Sequence, residues 1–465
     1  MTTGSTAGEL EEARPKGLFI VGGAVKEVIT TSEPQTVREH LSSLLQVKNL
    51  VVLLGSGASF HLGSPKTRDL TNTQVLDLIT EAGSEPTEED QELLATINPT
   101  DSGDLEELLN GLQLAASLAA QAGQTSVTLG SSPEAKSFPK GQVDGLRRRI
   151  NRALGEACRL PKPGRKLEAP FDTDPLLAHR TFLSRIVRNR RANLPRPRIF
   201  TMNYDLLIES ALDELGYPYI DGFSGTVDRR LNVAFYGLDF HRVETTTQSV
   251  LARAEGVLYL HKIHGSLNWR SSIDRDRLTG LESLEVKQSD APAEDDELVL
   301  IYPTSAKEGD TLAYPYSDLL RLLGDAVQQE DTAVIVAGYG FADPHINRLL
   351  LRSLATNAAL SVLVVDPYAV LEDADMASLT SEDRQRKFGD LSVTPKKTAI
   401  AALAAASDSR IAVLTGEQGK FTELASLIPG TSPQGETPTA VAALIEALEQ
   451  ATRGSAPPIP GSELL

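Results

Sequence analysis

The stretch NLVVLLGSGAS, residues 49–59, decides the fold. Its first six residues, Asn49–Leu54, are almost all valine and leucine, which is typical of a parallel strand with helices on both faces. The glycine motif GSGAS, residues 55–59, follows and precedes a predicted helix over 67–81. Glycines there let the backbone approach a pyrophosphate, and a helix N-terminus supplies unpaired N–H groups. A tight turn without a ligand is the alternative explanation.

The alternation of strand and helix patterns continues along the chain. Strands are predicted at 18–21, 198–202, 232–240, 256–261, 298–302, 332–337, 360–365 and 411–414. Helices are predicted at 35–46, 176–190, 204–215, 317–327 and 344–354. This order predicts an α/β fold with a doubly wound, mostly parallel, Rossmann-like sheet.

The region between the first and second parts of this sheet has a different composition. It contains predicted helices at 88–97, 104–121 and 142–158 around a Ser/Gly/Pro-rich loop at 123–141. We therefore expect five segments: an N-terminal extension (1–34), the first part of the sheet domain (35–84), a helical insertion (85–170), the second part of the sheet domain (171–420), and a C-terminal helix with a disordered tail (421–465).

The composition argues against several classes of protein. The formal net charge is −18 and the pI is near 4.9, so the chain repels phosphate backbones and non-specific nucleic-acid binding is not expected. Cys158 is the only cysteine, which excludes an internal disulfide and a four-thiolate zinc site. Because we find neither a secretory signal nor an apolar run of about 18 residues, we expect a cytoplasmic protein without a membrane span.

Two further polar motifs follow predicted strands. TMNYD (201–205) stands where a strand ends and a helix begins, and HKIHGS (261–266) follows another strand. The carboxyl ends of strands in an open α/β sheet form the crevice that holds ligands, so Asn203, Asp205 and His264 are candidate site residues. For each motif alone a structural role stays open, since Asn and Asp are good helix caps and a lone histidine is more often structural.

The order of these motifs resembles the sirtuin core. GSGAS matches its glycine loop, TMNYD its Thr-x-Asn-x-Asp segment, and IHGS its His-Gly pair. The run VIVAGYGFADPHI (334–346) looks like a strand and loop of bacterial sirtuin-like defence proteins, and a further strand ends in Asp366, where sirtuins place a residue near the adenosine ribose. The resemblance covers residues 45–80 and 175–370.

The resemblance implies NAD as the bound molecule and a role for each matched residue. The implied NAD contacts are Gly55, Ser56, Gly57, Ala58, Ser59, Arg68, Gly338, Tyr339 and Asp366. Asn203 would orient the nicotinamide ribose or a water, and Asp205 would support the ribose hydroxyls. His264 would act as the base, since imidazole is the side chain suited to proton uptake near neutral pH. Positive charge would develop on the ribose, as in glycoside hydrolysis.

The sequence departs from the sirtuin deacylases in two places. Their four-cysteine zinc module cannot be built with one cysteine, so no metal is expected. Their Gly-Ile-Pro-x-Phe-Arg pattern is replaced by GSPKTR (63–68), which lacks the aromatic residue on the nicotinamide side. Water is therefore the expected acceptor in place of an acyl-lysine.

These features together imply an NAD hydrolase that releases nicotinamide and ADP-ribose and depletes NAD in bacterial anti-phage defence. Because uncontrolled NAD loss would harm the cell, we expect an inactive resting state governed by homo-oligomerisation or by a partner. A HerA-type ATPase is the first expected partner and an Argonaute-like protein the second. The alternatives are a non-catalytic assembly subunit that binds NAD or ADP-ribose and, against the missing cysteines, a deacylase or ADP-ribosyltransferase.

The remaining charged and apolar features have competing explanations. Arginine clusters at 147–152 and 185–198 indicate either a docking surface or solvated helix faces paired with carboxylates. Asp343 and His345 indicate a helix cap more than a metal site, since no third ligand is near. The helix at 104–121 has more alanine and leucine than a lone surface helix needs, so we expect it to serve assembly.

Overall fold

The computed structural model describes residues 16–65, 71–99, 101, 105–130, 135–162, 166–244, 250–275, 282–289, 298–300, 314–341, 343–367 and 399–430. Its strands are β1 (Gly17–Val21), β2 (Ala24–Ile29), β3 (Asn49–Leu54), β4 (Ser126–Leu129), β5 (Lys136–Pro139), β6 (Arg198–Thr201), β7 (Tyr219–Ile220), β8 (Phe223–Ser224), β9 (Arg230–Leu231), β10 (His241–Glu244), β11 (Val250–Arg253), β12 (Leu258–Lys262), β13 (Gly265–Arg275), β14 (Glu282–Gln288), β15 (Leu298–Leu300), β16 (Thr332–Ala337), β17 (Leu360–Val365) and β18 (Ile411–Leu414).

The α-helices are α1 (Gln35–Leu45), α2 (Asn72–Glu81), α3 (Glu88–Ile97), α4 (Leu105–Gln121), α5 (Lys140–Ala157), α6 (Leu177–Asn189), α7 (Leu207–Leu215), α8 (Tyr316–Val327), α9 (Pro344–Thr356), α10 (Ala399–Ala405) and α11 (Phe421–Leu427). Short 3₁₀ helices occupy Ser56–Leu62, Val233–Gly237 and Glu417–Gly419. Among the described residues, no helix is long and apolar enough to cross a membrane.

A nine-stranded sheet in the order β2-β1-β18-β17-β16-β3-β6-β12-β7 forms the centre. The strands from β18 to β7 run parallel, while β1 and β2 add an antiparallel edge. From β3 the chain first builds β6 and β12 on one side and later β16, β17 and β18 on the other. The boundary between β3 and β16 is therefore the topological switch point, where open α/β sheets bind ligands. The predicted doubly wound, mostly parallel α/β fold is confirmed.

Alternate residues of the central strands point into two hydrophobic cores. Val51 and Leu53 of β3 belong to the core that includes α8, α9 and α10. Leu50, Val52 and Leu54 belong to the core that includes α1, α6, α7 and α11. All six residues of β3 are buried, so this strand needs apolar side chains on both faces.

The helices between β3 and α6 pack around a third core of their own. Its residues come from α2, α3, α4 and α5 and from the β4–β5 hairpin, which lies within the predicted loop at 123–141. Val75 and Ile79 of α2 belong to this core, although α2 precedes residue 85, where the insertion was expected to begin. Similarly, β1 and β2 join the central sheet from within the expected N-terminal extension.

A second, five-stranded antiparallel sheet in the order β15-β13-β14-β9-β8 is formed by residues between β7 and α8. The strand predicted at 232–240 is wrong, because this segment forms the 3₁₀ helix Val233–Gly237. The Asn232 side chain accepts a hydrogen bond from the Ala234 N–H at 3.1 Å. This local bond favours a turn over the backbone pairing of a β-strand. The predicted C-terminal tail beyond residue 430 lies outside the described residues.

Candidate functional site

The carboxyl ends of neighbouring parallel strands bring the predicted motifs to one edge of the sheet. β3 ends before Gly55, β6 two residues before Asn203, and β12 two residues before His264. β6 pairs with β3, and it pairs with β12 through Thr201 and Lys262. Because adjacent strands lie about 4.8 Å apart, motifs that are distant in sequence become neighbours in space.

Ser59 joins the glycine loop to the segment after β6. Its Oγ donates to Asp205 Oδ2 at 2.8 Å and accepts from Asn203 Nδ2 at 3.1 Å, and all three residues are buried. Asp205 Oδ1 accepts from the Leu207 N–H at 3.2 Å, at the start of α7. Asp205 therefore serves the helix end and the Ser59 network together.

Asn203 has one polar atom engaged and one unpaired. Its Nδ2 is held by Ser59, while its Oδ1 is buried and has no hydrogen-bond partner among the described residues. A buried acceptor of this kind normally finds a donor. The side-chain oxygen of Asn203, Oδ1, can therefore accept a hydrogen bond from a hydroxyl group or a water.

Lys262, which sequence reasoning did not single out, fixes the backbone of the same segment. Its buried Nζ donates to the carbonyl oxygens of Tyr204, at 3.3 Å, and Asp205, and it forms an ion pair with Glu209 Oε1 at 3.0 Å. Burial raises the pKa of both Asp205 and Glu209, and the Lys262 ammonium opposes the rise in each. The sequence feature that could have identified Lys262 is its charge, because it ends a strand, β12, whose other residues are apolar or aromatic.

His264 pairs with a carboxylate from the other half of the sheet. Its Nε2 lies 3.2 Å from Asp343 Oδ2, and the two side chains are 8% and 6% exposed. Asp343 Oδ1 accepts from the N–H groups of His345 and Ile346, so the predicted cap of α9 is confirmed. Burial acts to raise the pKa of Asp343, but its hydrogen bonds and the nearby imidazole outweigh burial and lower the pKa. Asp343 is therefore ionised at neutral pH.

The glycines of the loop after β3 are explained by close backbone packing. The Gly55 N–H donates to Ala337 O at 3.0 Å, and the Gly57 N–H donates to Gly338 O at 2.9 Å. A Cβ on Gly57 would lie 2.6 Å from Gly338 Cα, so any larger residue forces a shift. Ser56 is the exposed residue of the motif. The expected contact of these glycines with a pyrophosphate stays a prediction.

The other predicted NAD contacts have different surroundings. The Tyr339 hydroxyl lies 2.9 Å from the Asp343 carbonyl oxygen and 2.8 Å from Asn347 Oδ1, so it holds the loop after β16 to α9. Asp366 is buried directly after β17, at the same edge of the sheet. Arg68 lies outside the described residues. The proposed NAD contacts of these residues remain predictions.

A second histidine belongs to the same region. His61 stacks on His179 with ring centroids 5.6 Å apart and meets Phe171 edge-on at 4.7 Å. Burial and His179 lower the pKa of His61 to about 3, against the opposing charge of Asp205. His61 is therefore neutral at pH 7 and supplies no positive charge to a phosphate group.

The described residues also define the surroundings of possible metal ligands and of the single cysteine. No group of three or more His, Cys, Asp or Glu side chains there is arranged to hold a metal ion. Burial, followed by the Asp205 charge, raises the pKa of Cys158 to about 12, so its thiol stays protonated. A groove of about 400 Å³ between α8 and α9 lies near the amino ends of β16 and β17, away from the edge that carries Asn203 and His264.

We compared the chain with protein-family models, curated proteins and solved structures. Residues 197–395 match the family model described as a SIR2-like domain, a range that contains Asn203 and His264 but not the glycine loop. No curated protein matches the chain. One similar solved structure, a Sir2 homologue in complex with NAD, is 13% identical and covers 79% of this chain and 91% of its own, with a TM-score of 0.29. Another, a mutant Sir2 homologue with 2′-O-acetyl ADP-ribose, is 14% identical and covers 77% and 99%, with a TM-score of 0.28. The family match therefore identifies a SIR2-like region at residues 197–395.

Proposed function

We propose that this protein binds NAD and hydrolyses the bond between nicotinamide and ribose, giving nicotinamide and ADP-ribose. The observation that carries the proposal is the state of Asn203, whose Nδ2 is held by Ser59 while its buried Oδ1 has no partner among the described residues. An amide held in this way orients a water or a ribose hydroxyl through one hydrogen bond. The SIR2-like match supports NAD as the molecule that is bound.

The chemistry needs an oriented water and a base. The bond from the ribose anomeric carbon to nicotinamide breaks, nicotinamide leaves as a neutral molecule, and positive charge develops on the ribose. The water oxygen forms the new bond to that carbon, and a water proton passes to His264. Asp343 is ionised beside His264 and stabilises the imidazolium that results. In this proposal Asp205 supports the ribose hydroxyls, and Ser56, the exposed residue of the glycine motif, contacts the pyrophosphate.

The test is to resolve the products of NAD by chromatography for the unmodified protein and for Asn203→Ala and His264→Ala. Each variant should lose about two to four powers of ten in rate, because each removes a positioning group or a base. NAD binding by calorimetry should persist. Each variant removes one hydrogen-bond partner from a buried side chain, Ser59 or Asp343, so the stability cost should be about 1–3 kcal/mol. Asn193→Ala and His241→Ala, which change exposed residues of the same types, are the matched controls.

The results separate the possible outcomes. If both site variants turn over NAD at the unmodified rate, the assignment of the catalytic pair is wrong. If the unmodified protein never cleaves NAD, even with its partner present, hydrolysis itself is refuted.

The proposed setting is a cytoplasmic anti-phage system in which the enzyme is inactive until infection and then depletes NAD. Control would come from homo-oligomerisation or from a partner, first a HerA-type ATPase and second an Argonaute-like protein. Leu114 and Leu118 support an assembly surface on α4, since they lie one turn apart and are 50% and 57% exposed. Light scattering of the unmodified protein and of Leu118→Glu tests this, and a monomer at micromolar concentration in the unmodified protein would contradict it.

The second candidate is a non-catalytic subunit that binds NAD or ADP-ribose. The observation in its favour is that the Gly55 N–H already donates to Ala337 O at the end of β16, and the Gly57 N–H to Gly338 O just after it, so neither group is presented to a phosphate. ADP-ribose binding by calorimetry without any NAD cleavage would support this candidate. A deacylase or ADP-ribosyltransferase is the least favoured, because one cysteine cannot build the zinc module of the deacylases.

A further inference from the structure

Asp343 divides its carboxylate oxygens between two partners. Oδ1 accepts from the backbone N–H groups of His345 at 2.7 Å and Ile346 at 3.1 Å. Oδ2 lies 3.2 Å from His264 Nε2. The first N–H groups of a helix have no partner within the helix, so Oδ1 is occupied by α9 and only Oδ2 serves the imidazole.

The loop that carries Asp343 is fixed on both sides. The Tyr339 hydroxyl lies 2.9 Å from the Asp343 carbonyl oxygen, and Asn347 Nδ2 donates to Phe341 O at 2.9 Å. Phe341 has a φ of +53°, which bulky residues adopt only where their surroundings impose it. These contacts anchor Tyr339, Phe341 and Asp343 to α9, and the Asp343 carboxylate lies within hydrogen-bond distance of His264.

An ionised carboxylate only accepts hydrogen bonds, so the imidazole nitrogen that faces it must carry a proton. We infer that Asp343 is a positioning residue that holds the neutral His264 ring with its proton on Nε2. Nδ1 is then the nitrogen that accepts the proton from water. The inference rests on the proposed function, in which His264 is the base of NAD hydrolysis.

Asp343→Asn tests the inference because the helix cap determines how the new amide is oriented. Asn caps a helix as well as Asp, but its single oxygen must then serve His345 and Ile346. The amide Nδ2 takes the place of Oδ2, and its N–H can pair only with an unprotonated His264 Nε2. The substitution therefore moves the imidazole proton to Nδ1 while the cap is kept.

The first measurement is the tautomer itself. Two-bond ¹⁵N–¹H correlations of histidine-labelled protein distinguish an Nε2–H ring from an Nδ1–H ring, and His264→Gln assigns the His264 signals among the 7 histidines. We expect Nε2–H in the unmodified protein and Nδ1–H in Asp343→Asn. An Nδ1–H ring in the unmodified protein, or the same tautomer in both, overturns the inference. This result does not depend on whether the protein cleaves NAD.

The second measurement separates kcat from KM. A catalytic histidine held in the wrong tautomer loses about 10⁴-fold in kcat in the serine proteases, so Asp343→Asn should lose a similar factor with KM unchanged. Asp343→Ser keeps a capping side chain but presents neither charge nor amide to His264, so its loss should be smaller. Equal losses in the two variants, or a change confined to KM, would assign Asp343 a purely structural role. Absence of NAD cleavage in the unmodified protein refutes the proposed function, and the tautomer then decides this inference alone.

Discussion

Ser59→Ala is expected to destabilise the protein by about 2–4 kcal/mol. The substitution removes one hydroxyl and leaves two buried groups without it, Asn203 Nδ2 and Asp205 Oδ2. A buried neutral group left unpaired costs about 1–3 kcal/mol and a charged group costs more. Ser59 has no exposed surface, so bulk water does not replace its hydroxyl. Because the Leu207 N–H and the Lys262 ammonium still stabilise Asp205, its loss is taken at the low end, about 1 kcal/mol, and Asn203 adds about 1–3 kcal/mol.

The loss should depend on pH, because the Ser59 hydrogen bond acts on the ionised form of Asp205. Burial raises the pKa of Asp205 above its ordinary value, and the hydrogen bond from Ser59 is one of the effects that oppose the rise. Removing that bond raises the pKa further. The loss of stability caused by Ser59→Ala is therefore largest above the folded-state pKa of Asp205, where the carboxylate is ionised. It decreases as the pH falls through that pKa and the carboxylate is protonated. The difference in stability between the two proteins should shrink in acid.

The assay is urea unfolding of Ser59→Ala and the unmodified protein at pH 7.5 and at a series of lower pH values down to the acid limit of folding. Ser56→Ala is the stability control, since it removes the same hydroxyl from an exposed position of the same loop. Asn203 also loses the bond that orients its amide, so the kcat of NAD hydrolysis should fall with stability. A stability difference under about 0.5 kcal/mol, or one that does not change with pH, would refute the reasoning.

Three further predictions concern the loop, acid stability and metals. Gly57→Ala should lower the midpoint of thermal unfolding even without NAD, because its Cβ would lie 2.6 Å from Gly338 Cα; an unchanged midpoint would show that the loops separate easily. His261→Phe should reduce the loss of stability between pH 6.5 and pH 3 by about 1.4 kcal/mol per pH unit. The reason is that burial lowers the pKa of His261 to about 3, so only the unfolded chain takes up that proton in this window, and parallel acid-unfolding curves would contradict it. Treatment with a chelator should leave NAD hydrolysis unchanged, and stoichiometric zinc in active protein by metal analysis would disprove a metal-free reaction.

The order of strands and helices and the placement of the motifs could be predicted from the sequence. Asn49–Leu54 is apolar at nearly every position because both of its faces are buried, and this requirement is visible in the residues themselves. Asn203 and His264 each follow a strand pattern, and the carboxyl ends of parallel strands share one edge. Local patterning failed at 232–240, where Asn232 starts a 3₁₀ helix.

The pairing of distant side chains was decided by the tertiary structure alone. Ser59 meets Asn203 across 144 residues, and His264 meets Asp343 across 79 residues. Periodicity reports whether a position is buried, because burial depends on neighbours along the same strand or helix. It contains no information on which side chains face each other, since that depends on strand order and register. Lys262 shows the same limit: its charge is evident in the sequence, but the carbonyl groups and the carboxylate that it holds are defined only by the fold.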